Sequence, residues 1–255
     1  MSLTTIARTV LRRRGTGYLR SREDWRDELR GAPRGALPDM VMPESSRLIQ
    51  RNQGATNSCT AHATDHAVQM LCAMRGGPKG RDYSLRSVAA PYWNARALAG
   101  LERHDGGAYL RDAFKAWNHL GAPPDAAAPL RASTINRQPG ARCYQLGHPW
   151  RGLRYSRVAG SAGAAHALAD GAFLVIGADV DADFGKDSGP HVIDRQGKST
   201  GGHAMAVIGY IPRDGGGRLF RVVNSWGSGW RDHGRAWLTE NFIDACEVWA
   251  LEGWA

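Results

Sequence analysis

The chain has 255 residues, of which 42% are apolar and 22% charged, and its formal net charge is +9. That length allows one sizeable core or two small lobes, and no run of about 18 apolar residues exists to cross a membrane as a helix. Lysine occurs only at 79, 115, 186 and 198, so arginine supplies nearly all the positive charge; with no zinc module, RNP motif or aromatic-interleaved basic stripe, nucleic acid is not the expected partner.

In chain order, the start MSLTTIARTVLRRRG breaks its apolar part with Thr4, Thr5, Arg8 and Thr9 and puts its basic run last. That order is the reverse of a secretory signal peptide. Residues 1–36 read as a basic N-terminal arm, or a short pro- or targeting segment, that a protein regulator or secretion partner could use. Within it, Ser21-Arg-Glu-Asp24 has the form of a helix start, with Trp25 and Leu29 on one face. Leu37-Pro38 opens an extended segment reaching Arg51, and Asn52 to Ser58 is a polar, glycine-containing loop. From Cys59 to about Arg75 the apolar residues Ala63, Ala67, Met70, Leu71 and Met74 recur at helical spacing until Gly76-Gly77-Pro78 stops them. Leu85 to Leu98 and a stretch from about Ala108 through Trp117 read as two more helices.

The second half reads as β-rich. After a short helix at Ala164 to Asp170, Phe173 to Val180 is a buried strand. His203 to Ile211 and Leu219 to Val223 form a hairpin around a glycine-rich turn, and Arg235 to Thr239 adds a strand. The expectation is an α+β protein with a cleft between two lobes. The helical lobe spans about 50–125 and the β-rich lobe, a barrel-like antiparallel sheet, about 126–255. Cys59, Cys72, Cys143 and Cys246 form no C-x-x-C pair, so reduced thiols are expected. A cytoplasmic protein fits, as does one exported without a signal peptide.

Three stretches carry the chemistry: Gln53-Gly-Ala-Thr-Asn-Ser-Cys59, Gly201-Gly202-His203 followed by an apolar strand, and Asn224-Ser-Trp-Gly-Ser-Gly-Trp230. Together, and in this order, they resemble the papain-like cysteine peptidases, in particular bacterial members. Tyr83-Ser84 and Asp105-Gly-Gly…Arg111-Asp112 add to the likeness, which runs from Leu37-Pro38 to the C-terminus. The resemblance implies a catalytic domain over 37–255, Cys59 as nucleophile, His203 as base, Asn224 orienting His203, and Gln53 as an oxyanion donor. It also implies that Trp226 shields the His203–Asn224 bond and that the partner is a peptide or protein substrate, with no cofactor. The physics agrees. A helix N-terminus and an adjacent imidazolium both stabilise a thiolate, so Cys59 and His203 are expected as an ion pair. Trp226, Gly202 and Asp181 are the candidate substrate-binding residues. His62 and His66, four apart with Asp65 between them, supply too few local ligands for a metal site.

The chain also departs from the pattern. Thr60 follows the nucleophile where secreted relatives have Trp, Thr56 stands where relatives have a disulfide cysteine, and Gly202 precedes the histidine where papain has Asp. The long inhibitory prosegment of secreted members is not expected, since about 36 residues precede Leu37. Arg231 and Arg235 suggest a taste for acidic substrates. Two rivals remain: an acyltransferase, cyclase or deamidase using the same thioester, and a catalytically silent binding module.

Overall fold

The computed structural model describes residues 14–30, 35–194 and 198–254. Its strands, in chain order, are β1 (Tyr18–Leu19), β2 (Ala108–Tyr109), β3 (Leu153–Val158), β4 (Phe173–Val180), β5 (Val192–Ile193), β6 (Gly201–Pro212), β7 (Arg218–Val223), β8 (Arg235–Thr239) and β9 (Glu247–Trp254). The six α-helices among these residues are α1 (Cys59–Arg75), α2 (Ala89–Leu98), α3 (Leu110–Leu120), α4 (Ala141–Gly147), α5 (Gly160–Ala169) and α6 (Glu240–Asp244).

Seven strands form one sheet in the order β3-β9-β4-β6-β7-β8-β5. Side chains alternate across a strand, and here both faces are covered. Leu174 and Ile176 of β4 and Met205 and Val207 of β6 pack with α5 residues and Trp230 on one face. Val175, Ala204, Ala206 and Ile208 point the other way, onto Val68, Met70 and Leu71 of α1. Helix α1 is buried on every side from Cys59 to Cys72. Its alanines at 61, 63 and 67 are all but inaccessible, so the helix serves as a central post between the helical and β-rich lobes.

A buried polar network docks the preceding loop on that post. The Arg51 guanidinium pairs with Asp65 at 2.7 Å, while Tyr83 Oη and Gln69 Nε2 donate to the same carboxylate. The Ile49 N–H donates to Gln69 Oε1 at 2.7 Å. These bonds hold residues 49–53 alongside α1 and so set where Gln53 lies relative to Cys59.

Several expectations need correction. The sheet is open, with β3 and β5 as its edges, so it is not a closed barrel. No helix forms after Ser21. Asp24 instead accepts from the Arg26 backbone and side chain, and the Arg30 N–H and Glu28 carbonyl bond to the Arg157 backbone. That edge pairing satisfies the backbone in place of helical bonds. The helix expected from Leu85 begins at Ala89, because the Ser87 N–H donates to the Pro123 carbonyl and the Asp125 N–H to the Leu85 carbonyl. Residues 1–13 and 31–34 of the expected arm lie outside the described residues.

Candidate active site

Cys59 is the first residue of α1, where helix N–H groups have no intrahelical partner. His203 sits near the start of β6, and Asn224 directly follows β7. The antiparallel register, with Ala206 opposite Val223, brings the two together. His203 Nε2 lies 2.7 Å from Asn224 Oδ1.

The hydrogen bonds fix the histidine tautomer. The Ser225 N–H donates to Asn224 Oδ1 at 2.7 Å, which identifies that atom as the amide oxygen. Asn224 Oδ1 therefore accepts from His203, and the ring proton is on Nε2. The lone pair is left on Nδ1, which is buried and has no partner among the described residues. A histidine in this state is ready to take a proton. Trp226 lies flat on the imidazole, with ring centroids 4.3 Å apart and planes 28° from parallel.

Gln53 is held from several directions. Its N–H donates to the Ser225 carbonyl, its Oε1 accepts from Ser225 Oγ, and its Nε2 donates to the Thr56 carbonyl at 2.7 Å. The same Nε2 donates to the Gly15 carbonyl at 2.9 Å.

That last bond belongs to a feature the sequence did not reveal. Residues 14–21 run across the site as a strap. The Gly15 N–H donates to the Gly54 carbonyl, and the Gly17 N–H points at Cys59 Sγ at 3.3 Å. The Ala108 N–H donates to the Gly17 carbonyl, and β1 pairs in parallel with β2. Close approach requires glycine here: a Cβ on Gly15 would fall 1.6 Å from the Thr56 oxygen, and one on Gly17 would fall 1.8 Å from the Asn57 oxygen. The Arg14 guanidinium stands over Trp226 and reaches Asp187 and the Gly185 carbonyl.

The strap leaves Cys59 and His203 fully inaccessible. Burial pushes the Cys59 thiol up to about 11, against the opposing pull of N–H groups on Gly17, Ala204, Thr60 and Cys59 itself. Burial also lowers His203 to about 4, although its bond to Asn224 favours the charged ring. In this covered state burial opposes ionisation of both groups, and so works against the expected thiolate and imidazolium, because a stripped ion loses hydration.

The remaining candidates fall as follows. Gly202 lies under the strap, where a Cβ would meet the Tyr18 carbonyl oxygen at 2.3 Å. Asp181 accepts the Phe184 N–H at 2.7 Å and lines a cavity of about 500 Å³ beside the site. It thereby sets Phe184, which no sequence pattern singles out, edge-on against Trp226. Arg231 donates to the carbonyls of Asp183 and Pro190, and Arg235 donates to Ser45. His62 Nδ1 bonds to the Ser58 carbonyl at 2.9 Å, and among the described residues no three acidic, histidine or cysteine side chains gather as a metal site. The four cysteines are not joined in disulfides.

Comparison with solved structures gives this geometry its context. Xylellain, a cysteine protease from Xylella fastidiosa, superposes with a TM-score of 0.83 at 26% identity, over 96% of this chain and 98% of that one. The chain has the fold of the papain-like cysteine proteases. Digestive procathepsin L 3 of Tenebrio molitor has the same fold, with a TM-score of 0.72 at 18% identity over 98% and 79% of the two chains. So does proCathepsin B S9 from Trypanosoma congolense, with a TM-score of 0.71 at 16% identity over 100% and 88%. No protein-family model and no curated protein matches the sequence. In papain-like terms, α1 belongs to the helical lobe, β6 and β7 to the β-rich lobe, and the strap lies in the cleft between them.

Proposed function

We propose that this papain-like chain is a cysteine peptidase that hydrolyses amide bonds through a Cys59 thioester, and that residues 14–21 hold it in a closed state. One observation carries the reading. Gln53 Nε2 and the Cys59 sulfur both bond one stretch of backbone, supplied here by the strap, while His203, bonded through Nε2 to Asn224, keeps a buried lone pair with no partner among the described residues.

The chemistry follows from the positions. Once the strap leaves and water returns, His203 Nδ1 takes the thiol proton, and Asn224 Oδ1 steadies the resulting imidazolium through the Nε2 proton. The thiolate attacks the substrate carbonyl carbon. Negative charge then grows on that oxygen, and Gln53 Nε2 and the Cys59 N–H would receive it; one such donor is worth about 3 kcal/mol. His203 protonates the leaving amine, the thioester forms, and the same histidine activates water to release the acid. The strap escapes attack in this arrangement because it turns an N–H, not a carbonyl carbon, towards the sulfur.

The test exposes full-length wild type and Cys59→Ala to a proteome-derived peptide library, with products identified by mass spectrometry. Hydrolysed amide bonds that vanish with Cys59→Ala support a peptidase. New amide or ester bonds, or glutamine converted to glutamate, would replace it with a transferase or deamidase. No Cys59-dependent product would leave a binding module.

A further inference from the structure

The placement of Asn224 depends on a residue that no motif singles out, Gln50. It lies in the extended segment before the polar loop, between two residues that α1 holds. Gln69 bonds both backbone groups of Ile49, at 2.7 Å to the N–H and 3.3 Å to the carbonyl, and Asp65 pairs with Arg51 at 2.7 Å. The backbone around Gln50 is thus fixed to the helix that begins with Cys59. From there its side chain crosses to the β-rich lobe. Gln50 Nε2 donates to the Asn224 carbonyl, and the carboxamide fills the space over Gly234, where a Cβ would fall 2.5 Å from Gln50 Cδ. The Gly234 carbonyl in turn accepts the Asn224 N–H at 2.9 Å.

The Asn224 carbonyl and the Ser225 N–H belong to one peptide group, which is rigid and planar. Holding the carbonyl therefore aims the N–H on the opposite side. That N–H donates to Asn224 Oδ1 at 2.7 Å, and the same oxygen accepts from His203 Nε2 at 2.7 Å. Asn224 Nδ2 has no partner among the described residues, so the orientation of its amide rests on those two bonds to oxygen. The bond from Gln50 comes at a cost, since it leaves Gln50 Oε1 buried and unpaired among the described residues. A buried acceptor without a donor is destabilising, and what offsets it here is the aim of the 224–225 peptide. We infer that Gln50 is a positioning residue for the proposed reaction: through that peptide it sets the Asn224 amide, and through the amide the His203 ring, relative to Cys59 at the head of α1.

This inference rests on the Cys59–His203 chemistry of the peptidase reading, and the test separates the two. The background is full-length Tyr18→Ala, in which the strap has lost the side chain it buries against Gly177 and Gly202. The readout is the rate of Cys59 carboxamidomethylation by iodoacetamide against pH, whose midpoint reports how well the imidazolium supports the thiolate. Gln50→Met, which keeps the length of the side chain and loses its donor, should move the midpoint up by about half to one pH unit, the worth of one hydrogen bond. In the Tyr18→Ala/Asn224→Ala protein the same substitution should move it no further, because the side chain through which Gln50 acts is gone. A midpoint that Gln50→Met leaves in place, or a shift that persists at full size without Asn224, would overturn the inference. Cys59-dependent hydrolysis of peptides by the Tyr18→Ala protein is measured alongside. Hydrolysis with an unmoved midpoint overturns the positioning role and keeps the peptidase reading. A moved midpoint without hydrolysis supports the positioning role and overturns the peptidase reading. Gln50→Ala answers the same question if Gln50→Met fails to fold.

Discussion

Tyr18 is the main fastening of the strap, so truncating it should uncover Cys59. The ring is buried against Gly177 and Gly202, and its hydroxyl bonds a buried carboxylate. Removing a large buried aromatic side chain costs about 3–5 kcal/mol, of which a hydrogen bond to a charged group accounts for about 1.5–3 kcal/mol. The covered state should lose most of this, because the uncovered state never makes these contacts. At least 3 kcal/mol is roughly a hundredfold gain in opening. The assay is the second-order rate of Cys59 carboxamidomethylation by iodoacetamide at pH 7, read by peptide mass spectrometry. Tyr18→Ala should react roughly a hundredfold faster than wild type, and Tyr18→Phe, which keeps the ring and loses the hydroxyl, roughly tenfold faster. If both variants react at the wild-type rate, the strap does not guard the thiol and the reasoning fails.

Four further outcomes follow. His203 is held near 4 when covered and regains an ordinary value near 6.5 when open; the covered state is therefore fully favoured above 6.5 and lost as pH falls, so wild-type opening should be about twentyfold easier at pH 5 than at pH 7. Amide hydrogen exchange of residues 14–21, corrected for intrinsic rates, that shows no more opening at pH 5 than at pH 7 would contradict this. Gly177→Ala puts a methyl in the place of the Tyr18 ring and should accelerate Cys59 labelling without any change to the strap itself; unchanged labelling would show that the ring is not seated there. Ser225→Ala removes the donor to Gln53 Oε1, and steady-state kinetics in the Tyr18→Ala background should show a lower kcat at similar KM, since Gln53 acts on charge that appears only in the transition state. His66 is fully buried with neither ring nitrogen bonded among the described residues, and burial holds it neutral. His66→Leu should thus raise thermal stability by about 1–3 kcal/mol, and a lower Tm by calorimetry would contradict that.

The grouping of the candidate residues was legible in the sequence because it is local. Gln53 and Cys59 share one loop and helix start, and His203 and Asn224 lie on neighbouring strands of a hairpin whose turn is written in Pro212 to Gly217. The strands from Phe173, His203, Leu219 and Arg235 carried apolar runs strong enough to read. Strands β3 and β9 did not: Leu153–Val158 is interrupted by arginines, and Glu247 and Glu252 interrupt β9, with Glu252 as the extra residue of a bulge. Their identity depends on pairing with each other, not on their own pattern. The strap was illegible for the same reason. Gly15, Thr16 and Gly17 have no propensity of their own, and their conformation is set by Thr56, Asn57 and Gly107, far away in sequence. Ser21 to Asp24 has a helix-start composition, yet the edge of β3 offered its backbone better partners.

The central claim is that Cys59 hydrolyses peptides once residues 14–21 leave the cleft. Its most direct test is peptide hydrolysis by full-length wild type, Tyr18→Ala and Tyr18→Ala/Cys59→Ala, measured side by side on one peptide substrate. The account predicts slow turnover by wild type, turnover roughly a hundredfold faster with Tyr18→Ala, and none when Cys59 is also replaced. Hydrolysis that survives loss of Cys59, or that is no faster without Tyr18, would contradict it.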